Sequence, residues 1–264
     1  MKLPQVVAAL QDLAPLEWAE EWDNVGLLLE PFGRRSVRRV LLTIDLTSAV
    51  VAEARDSKAE LVVAYHPPIF APLRRLTQAA AGERNVLACV AAKIAVYSPH
   101  TALDAAPGGV NDWLADGLGA GAREGLLPRG DEDSGAAQGR RVTLARPVRL
   151  GALVRRIKQH LGLSSVRVAK SARHDDGEPV RDVALCAGAG GSVIGGVPAD
   201  VHWTGEMRHH DVLAALERGT SVVLCEHTNT ERGYLPRLRE RLRERLGGVD
   251  VALAKADAEP LTGA

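Results

Sequence analysis

The sequence predicts an α/β protein made of two similar α/β units with mainly parallel sheets. Three observations carry that reading. Short apolar runs alternate with amphipathic stretches at βαβ spacing, the apolar runs end in polar loops, and a Gly-, Ala-, Asp- and Glu-rich stretch without periodicity between Gly119 and Gly139 separates two such series.

Residues 3–13, with Val6, Val7, Leu10 and Leu13, read as a short amphipathic helix. Arg39 to Ile44 reads as a buried strand ending at Asp45, followed by a helix from Ser48 to Ser57. Leu61-Val62-Val63-Ala64 is a second strand that delivers Tyr65-His66-Pro67-Pro68 at its C-terminal end, where proline stops the hydrogen-bond ladder. A helix around Asn85 to Ala92 leads to the strand Ile94 to Tyr97, which runs out into Ser98-Pro99-His100-Thr101-Ala102-Leu103-Asp104. Ligands of such sheets gather beyond the strand C-termini, so Asp45, His66 and Asp104 are expected on one rim.

After the break come a strand (Arg141 to Leu144), a helix (Leu150 to Leu161), a strand (Ser165 to Ala169) and a polar loop through His174 to Gly177. Strands at Val180 to Cys186, Val201 to Trp203 and Ser221 to Leu224 follow, with a helix over Met207 to Arg218. The last helix, Leu235 to Leu246, places Leu235, Leu238, Leu242 and Leu246 on one face, ahead of a strand at Val249 to Leu253. The expected division is a first unit over 1–126 completed by 225–264, a linker at 127–139 and a second unit over 140–224.

With 264 residues, 46% of them hydrophobic, the chain can bury a sizeable core. Lys plus Arg and Asp plus Glu number 33 each, so no global field favours nucleic acid or a membrane, and 3% aromatic residues leave few platforms for single strands. Cys89, Cys186 and Cys225 are widely spaced and odd in number, which fits a reducing compartment better than a disulfide framework. No leader pattern and no run near the roughly 18 apolar residues of a membrane span is present, so a cytoplasmic protein is expected.

Imidazole and carboxylate groups arriving from several loops are what zinc, manganese, iron or magnesium require. His66 follows one strand, Asp104 another, and His227 with Glu231 a third, the last two four residues apart so that one helical turn can aim both inward. Each has a plainer reading alone: His66 as a hydrogen-bonded loop residue, Asp104 as a helix N-cap, Glu231 in a capping box with Thr228.

Five segments identify a resemblance. Residues 21–27 (Glu-Trp-Asp-Asn-Val-Gly-Leu), 65–70 (Tyr-His-Pro-Pro-Ile-Phe), 97–111 (Tyr-Ser-Pro-His-Thr-Ala-Leu-Asp-Ala-Ala-Pro-Gly-Gly-Val-Asn), 204–211 (Thr-Gly-Glu-Met-Arg-His-His-Asp) and 225–233 (Cys-Glu-His-Thr-Asn-Thr-Glu-Arg-Gly) closely resemble the Nif-three-like family, named after an NGG-one-interacting factor and often described as GTP cyclohydrolase type two homologues. The resemblance implies two α/β units facing a shared metal-binding cleft, a dinuclear centre and a ring-shaped homohexamer. By motif it makes His66, Asp104, His227 and Glu231 metal ligands, with one or two ions per chain and a carboxylate such as Glu231 or Asp104 bridging ions about 3.5 to 4 Å apart. Many bacterial members carry His-His-Pro where this chain has Tyr65-His66-Pro67. A phenol with a pKa of about 10 is a poor ligand unless the metal acidifies it, so one metal position is better supplied than the second. The chain also lacks the middle insertion of longer members.

Around these positions, His100, Asp45, Glu206 and His210 are expected to orient ligands or to make ordinary hydrogen bonds, and His209 to lie on the surface. Asn24 lines the cavity or makes a turn with Gly26. The loop Gly188 to Ser192 offers amides to a phosphate, or serves tight strand-to-helix packing. Cys186 and Cys225 read as small buried hydrophobes. The leading functional expectation is a metal-dependent hydrolase of a nucleotide or phosphorylated small molecule, GTP cyclohydrolase-like by resemblance, with His100 or Glu206 moving protons. The alternative is a non-catalytic metal-binding regulatory protein with protein partners.

Overall fold

The computed structural model describes residues 1–33, 36–131 and 133–261. Its strands, in chain order, are β1 (Gly26–Leu29), β2 (Arg39–Thr43), β3 (Leu61–Ala64), β4 (Ala95–Ser98), β5 (Gly121–Arg129), β6 (Ala136–Arg149), β7 (Arg167–Ala169), β8 (Pro179–Cys186), β9 (Val201–Thr204), β10 (Ser221–Leu224) and β11 (Asp250–Leu253). The chain forms two compact units, Met1–Leu103 with Tyr234–Ala264, and Asp104–Gly233. It therefore crosses between units after residues 103 and 233, where the sequence suggested crossings after 126, through a linker at 127–139, and after 224.

The first unit holds a sheet of order β1-β4-β3-β2-β11. Strands β4, β3, β2 and β11 are parallel and β1 runs antiparallel at one edge. Val62 and Val63 are buried along with the rest of β3, the continuous apolar run that a sheet covered on both faces demands. One side packs Leu41, Val62 and Val96 against Val50, Ala54 and Cys89 from the helices Ser48–Asp56 and Ala81–Ala91, and against Ile94 just before β4. Fully burying each such aliphatic side chain contributes roughly 1.5–3 kcal/mol. The helix Leu3–Leu13 buries Leu3, Val6, Leu10 and Leu13 as its spacing predicts, and the helix Leu235–Arg245 buries its leucine stripe.

Parallel register sets the rim. Thr43 pairs with Ala64, and the amides of Tyr65 and His66 continue the ladder to the carbonyls of Thr43 and Ile44 at 2.9 and 3.0 Å. Asp45 and His66 thus leave adjacent strands at one level.

In the second unit the order is β5-β6-β8-β9-β10-β7. Its parallel centre is β8-β9-β10, with antiparallel strands on either side. The stretch expected as a linker at 127–139 is instead part of an antiparallel hairpin, with Gly121 opposite Leu144 and Arg129 opposite Ala136. Strand β5 lies at the sheet edge and is almost wholly exposed, so it carries Arg123, Glu124 and Arg129 rather than an apolar alternation. Arg140 of β6 is buried, and its guanidinium bonds both carboxylate oxygens of Asp112 at 2.6 and 3.2 Å, clamping the helix Val110–Asp116 to the sheet. The expected loop at His174 is a helical turn, Ala172–Asp175, in which His174 is buried against the Ser221 hydroxyl at 2.7 Å. Among the described residues no helix is long and apolar enough to cross a membrane.

Candidate metal centre

In the first unit, the imidazole of His66 is held through Nδ1 by Asp45 Oδ1 at 2.9 Å. That contact fixes the ring and leaves Nε2 as the nitrogen a cation takes. Beside it, His100 is held the same way by Asp23 at 2.8 Å. The His66 and His100 rings meet edge to face with centroids 5.3 Å apart, and Tyr65, itself buried, stands edge-on to His100 at 5.6 Å.

Asp23 is the functional neighbour the sequence reading left unassigned. Its side chain is wholly buried and accepts from Thr101 through both the amide, at 3.2 Å, and the hydroxyl, at 2.5 Å. Burial pushes its carboxyl up, but the hydrogen bonds and charge of His100 and the bonds from Thr101 outweigh burial and hold it below its ordinary 3.8. Its place in the Trp-Asp-Asn-Val-Gly segment was the available signal. Asn24, next in sequence, donates to the carbonyl of Ile69 at 2.5 Å and so ties this segment to the His-Pro loop.

In the second unit, β10 leads into a turn where Glu226 has a φ of +65°, in the left-handed region, directly before His227. A non-glycine residue there costs on the order of 1 kcal/mol, and Arg167 holds the Glu226 carboxylate at 2.9 Å. The following 3-10 turn, Thr228–Thr230, folds Glu231 back so that its Oε1 lies 3.3 Å from His227 Nε2. On the other side, His227 Nδ1 lies 3.4 Å from Glu206. A separation of 3.3 Å matches the edge of a tetrahedral site with bonds of about 2.1 Å, roughly 3.4 Å.

Gly188 closes this pair. A Cβ there would lie 2.6 Å from Glu231 Oε1 and 2.9 Å from His227 Nε2, and its φ of +58° already favours glycine. The donor edge therefore faces a place where no side chain fits. The Gly188 amide donates to Thr230 Oγ1 at 2.8 Å and the Gly190 amide to Thr204 Oγ1 at 2.9 Å. These two amides of the loop are therefore committed to threonine hydroxyls, as tight strand-to-helix packing requires.

The second unit thus brings one imidazole and one carboxylate, His227 and Glu231, to one edge, and the first unit presents a third group of metal-ligating type, the imidazole of His66. Asp104 begins the second unit. It is buried within the helix His100–Ala105, so the N-cap reading fails, and its carbonyl accepts from Asn111 at 3.1 Å. The capping box of Thr228 with Glu231 is also not formed, since Thr228 Oγ1 accepts from Arg232. His209 and His210 lie exposed at the start of the helix His209–Glu217, edge to face with each other. Cys186 and Cys225 are buried, and burial pushes the Cys225 thiol up to about 12 although Trp203 Nε1 donates to its sulfur, so neither is a nucleophile.

Against known proteins, the chain matches the Duf34/NIF3 (NGG1p interacting factor 3) family over residues 1–260. It is 43% identical over 277 residues to the protein NIF3 homolog of Schizosaccharomyces pombe, covering 99% of this chain and 96% of that one. To NIF3-like protein 1 of Drosophila melanogaster it is 42% identical over 264 residues, covering 98% and 88%. To NGG1-interacting factor 3 of Saccharomyces cerevisiae it is 36% identical, covering 99% and 96%. The crystal structure of a Bacillus cereus protein related to NIF3 matches the fold with a TM-score of 0.87 at 21% identity, covering 100% and 99%.

Proposed function

The chain belongs to the Duf34/NIF3 family, and we propose that it is a divalent-metal-dependent hydrolase of a nucleotide or phosphorylated small molecule, with His66, His227 and Glu231 as ligands. The single observation that carries this reading is the His227–Glu231 edge facing Gly188, where a Cβ would enter the space of the donor atoms. Support comes from the carboxylate on the far nitrogen of each imidazole, Asp45 for His66 and Glu206 for His227, since ligating histidines are oriented in this way.

A divalent ion held there supplies a Lewis acid and lowers the pKa of water toward neutrality. The chain's own groups do the rest. Asp45 keeps the His66 proton on Nδ1. Glu206, half exposed and 3.4 Å from His227 Nδ1, is the carboxylate placed to take up and release a proton, and His100, braced by Asp23, is the second candidate. Were a second ion bound, Asp104 would be the further carboxylate available to hold it, and Tyr65, a phenol where an imidazole would serve better, is the reason one position is better supplied than two. Assembly as a homohexamer and residence in the cytoplasm complete it.

The test is elemental analysis of the purified chain, followed by turnover of GTP and a panel of phosphoesters with zinc, manganese, iron or magnesium supplied. Activity is expected to disappear in His66→Ala, and activity that survives this substitution belongs to a contaminant. The name of the Saccharomyces cerevisiae relative favours a second reading, a metal-binding protein whose task is to engage a protein partner. Bound metal with no turnover on any phosphoester supports that reading instead.

A further inference from the structure

In a chain with only 3% aromatic residues, two of the large rings are left open to solvent beside the His100 imidazole. Trp22 is 61% exposed and Phe70 is 56% exposed, and their rings form a tilted pair with centroids 5.9 Å apart at 54°, whose outer faces are open. The Trp22 ring also stands edge-on to His100, with centroids 6.0 Å apart.

The segments that carry this pair are anchored. Asp23, next to Trp22, is pinned by His100 and Thr101, and Asn24 donates to the carbonyl of Ile69, next to Phe70. Both aromatic loops are therefore anchored by buried or half-buried hydrogen bonds while the rings themselves stay outside. Rigid platforms of this kind bind flat rings with little ordering cost.

From this geometry we infer that Trp22 and Phe70 form a stacking subsite for a planar heteroaromatic ring, such as the base of a nucleotide. The inference rests on the hydrolase reading for its choice of nucleotide, and it deepens that reading by naming what recognises the base. His100 explains why the ring carries heteroatoms: its Nδ1 is committed to Asp23, so Nε2 is the nitrogen that bonds the edge of a ring seated on Trp22. Size explains why the occupant is a small molecule and not a second copy of the chain. Two rings offer at most roughly 300 Å² of exposed surface, against the ~800 Å² per partner that a stable interface needs.

Calorimetric titration of the full chain with guanosine 5′-monophosphate and with ribose 5-phosphate tests this without turnover or added metal. The monophosphate is expected to bind at least about tenfold more tightly than the ring-free sugar phosphate. Trp22→Ala and Phe70→Ala are each expected to weaken it by about tenfold, and Trp22→Phe to keep most of the affinity. Metal content should be unchanged in all three, which separates failure of the ring subsite from failure of the metal reading. Equal binding of the two ligands, no binding of the monophosphate, or an unaffected Trp22→Ala overturns the inference. So does a fall in molar mass by light scattering in Trp22→Ala, which would mean that a second copy covers the rings. Should Trp22→Ala not fold, Phe70→Ala reads the same outcome.

Discussion

The two units present a histidine by different means. In the first, His66 stands at the end of a parallel strand, and a side-chain hydrogen bond from Asp45 aims it. In the second, the backbone aims His227: a left-handed Glu226 precedes it, a 3-10 turn returns Glu231 to its side, and Gly188 leaves the room. The first presentation depends on hydrogen bonds that can be exchanged for water, the second on chain geometry that cannot. The backbone-built presentation should therefore be the more demanding of its residues.

The largest expected effect breaks the comparison outright. His227→Ala and Glu231→Ala should each abolish stoichiometric metal on elemental analysis, weakening binding by more than the roughly 10–100-fold that outer partners command. His66→Ala sharpens the contrast. If it retains full metal, the turn in the second unit holds the ion by itself; the triad reading expects a loss as complete as that of His227→Ala.

Next comes Gly188→Ala, which alters no ligand. The added Cβ would lie 2.6 Å from Glu231 Oε1 at a residue with φ +58°. Metal should be lost and stability should fall by about 1–3 kcal/mol in urea titration. Gly196→Ala is the matched control: a Cβ there meets nothing within 4 Å, and the change should stay within about 0.5 kcal/mol. Equal behaviour of the two variants would remove the argument that the backbone shapes this half.

These roles were unevenly legible in the sequence. Strand ends were easy to find, because buried parallel strands read as unbroken apolar runs and proline marks where β3 stops, so His66 and its rim follow directly. The leucine stripe of the helix Leu235–Arg245 was equally plain. The hairpin of β5 and β6 was not, since an exposed edge strand needs no apolar alternation and carries arginines and glycines like a loop. Asp23 was missed because its partners lie 77 and 78 residues away, a distance over which no spacing rule operates. Gly188 is visible in the sequence as part of a glycine-rich loop, but its close approach to two donor atoms is a property of the fold alone.

A smaller difference is expected from the orienting carboxylates. Asp45 lies 2.9 Å from its imidazole and Glu206 lies 3.4 Å from its own. Asp45→Ala should cost metal affinity toward the upper end of the roughly 10–100-fold range, and Glu206→Ala toward the lower end. Competition with a chelator measures both. A larger loss in Glu206→Ala would show that the turn does not aim His227 unaided.

The smallest effect concerns acid. Asp23 is a carboxylate whose folded-state pKa is depressed: burial raises it, but His100 and Thr101 lower it further. Such a group stabilises the fold above its unfolded value of about 3.9, and that contribution is lost as pH falls through the lower, folded value. The urea midpoint of the wild type should therefore drop more between pH 5 and pH 3 than that of Asp23→Asn, which is less stable at pH 7 and lacks the titrating group. The two curves should converge at the acid end. Because Asp23 braces His100 through Nδ1, in wild type the edge-on contact of His100 with Trp22 should loosen as that brace is lost, before the second unit unfolds. Tryptophan fluorescence that shifts ahead of the far-ultraviolet signal, and no longer does so in Trp22→Phe, is the expected record of that order. Simultaneous loss of both signals in wild type would place the two halves on one footing.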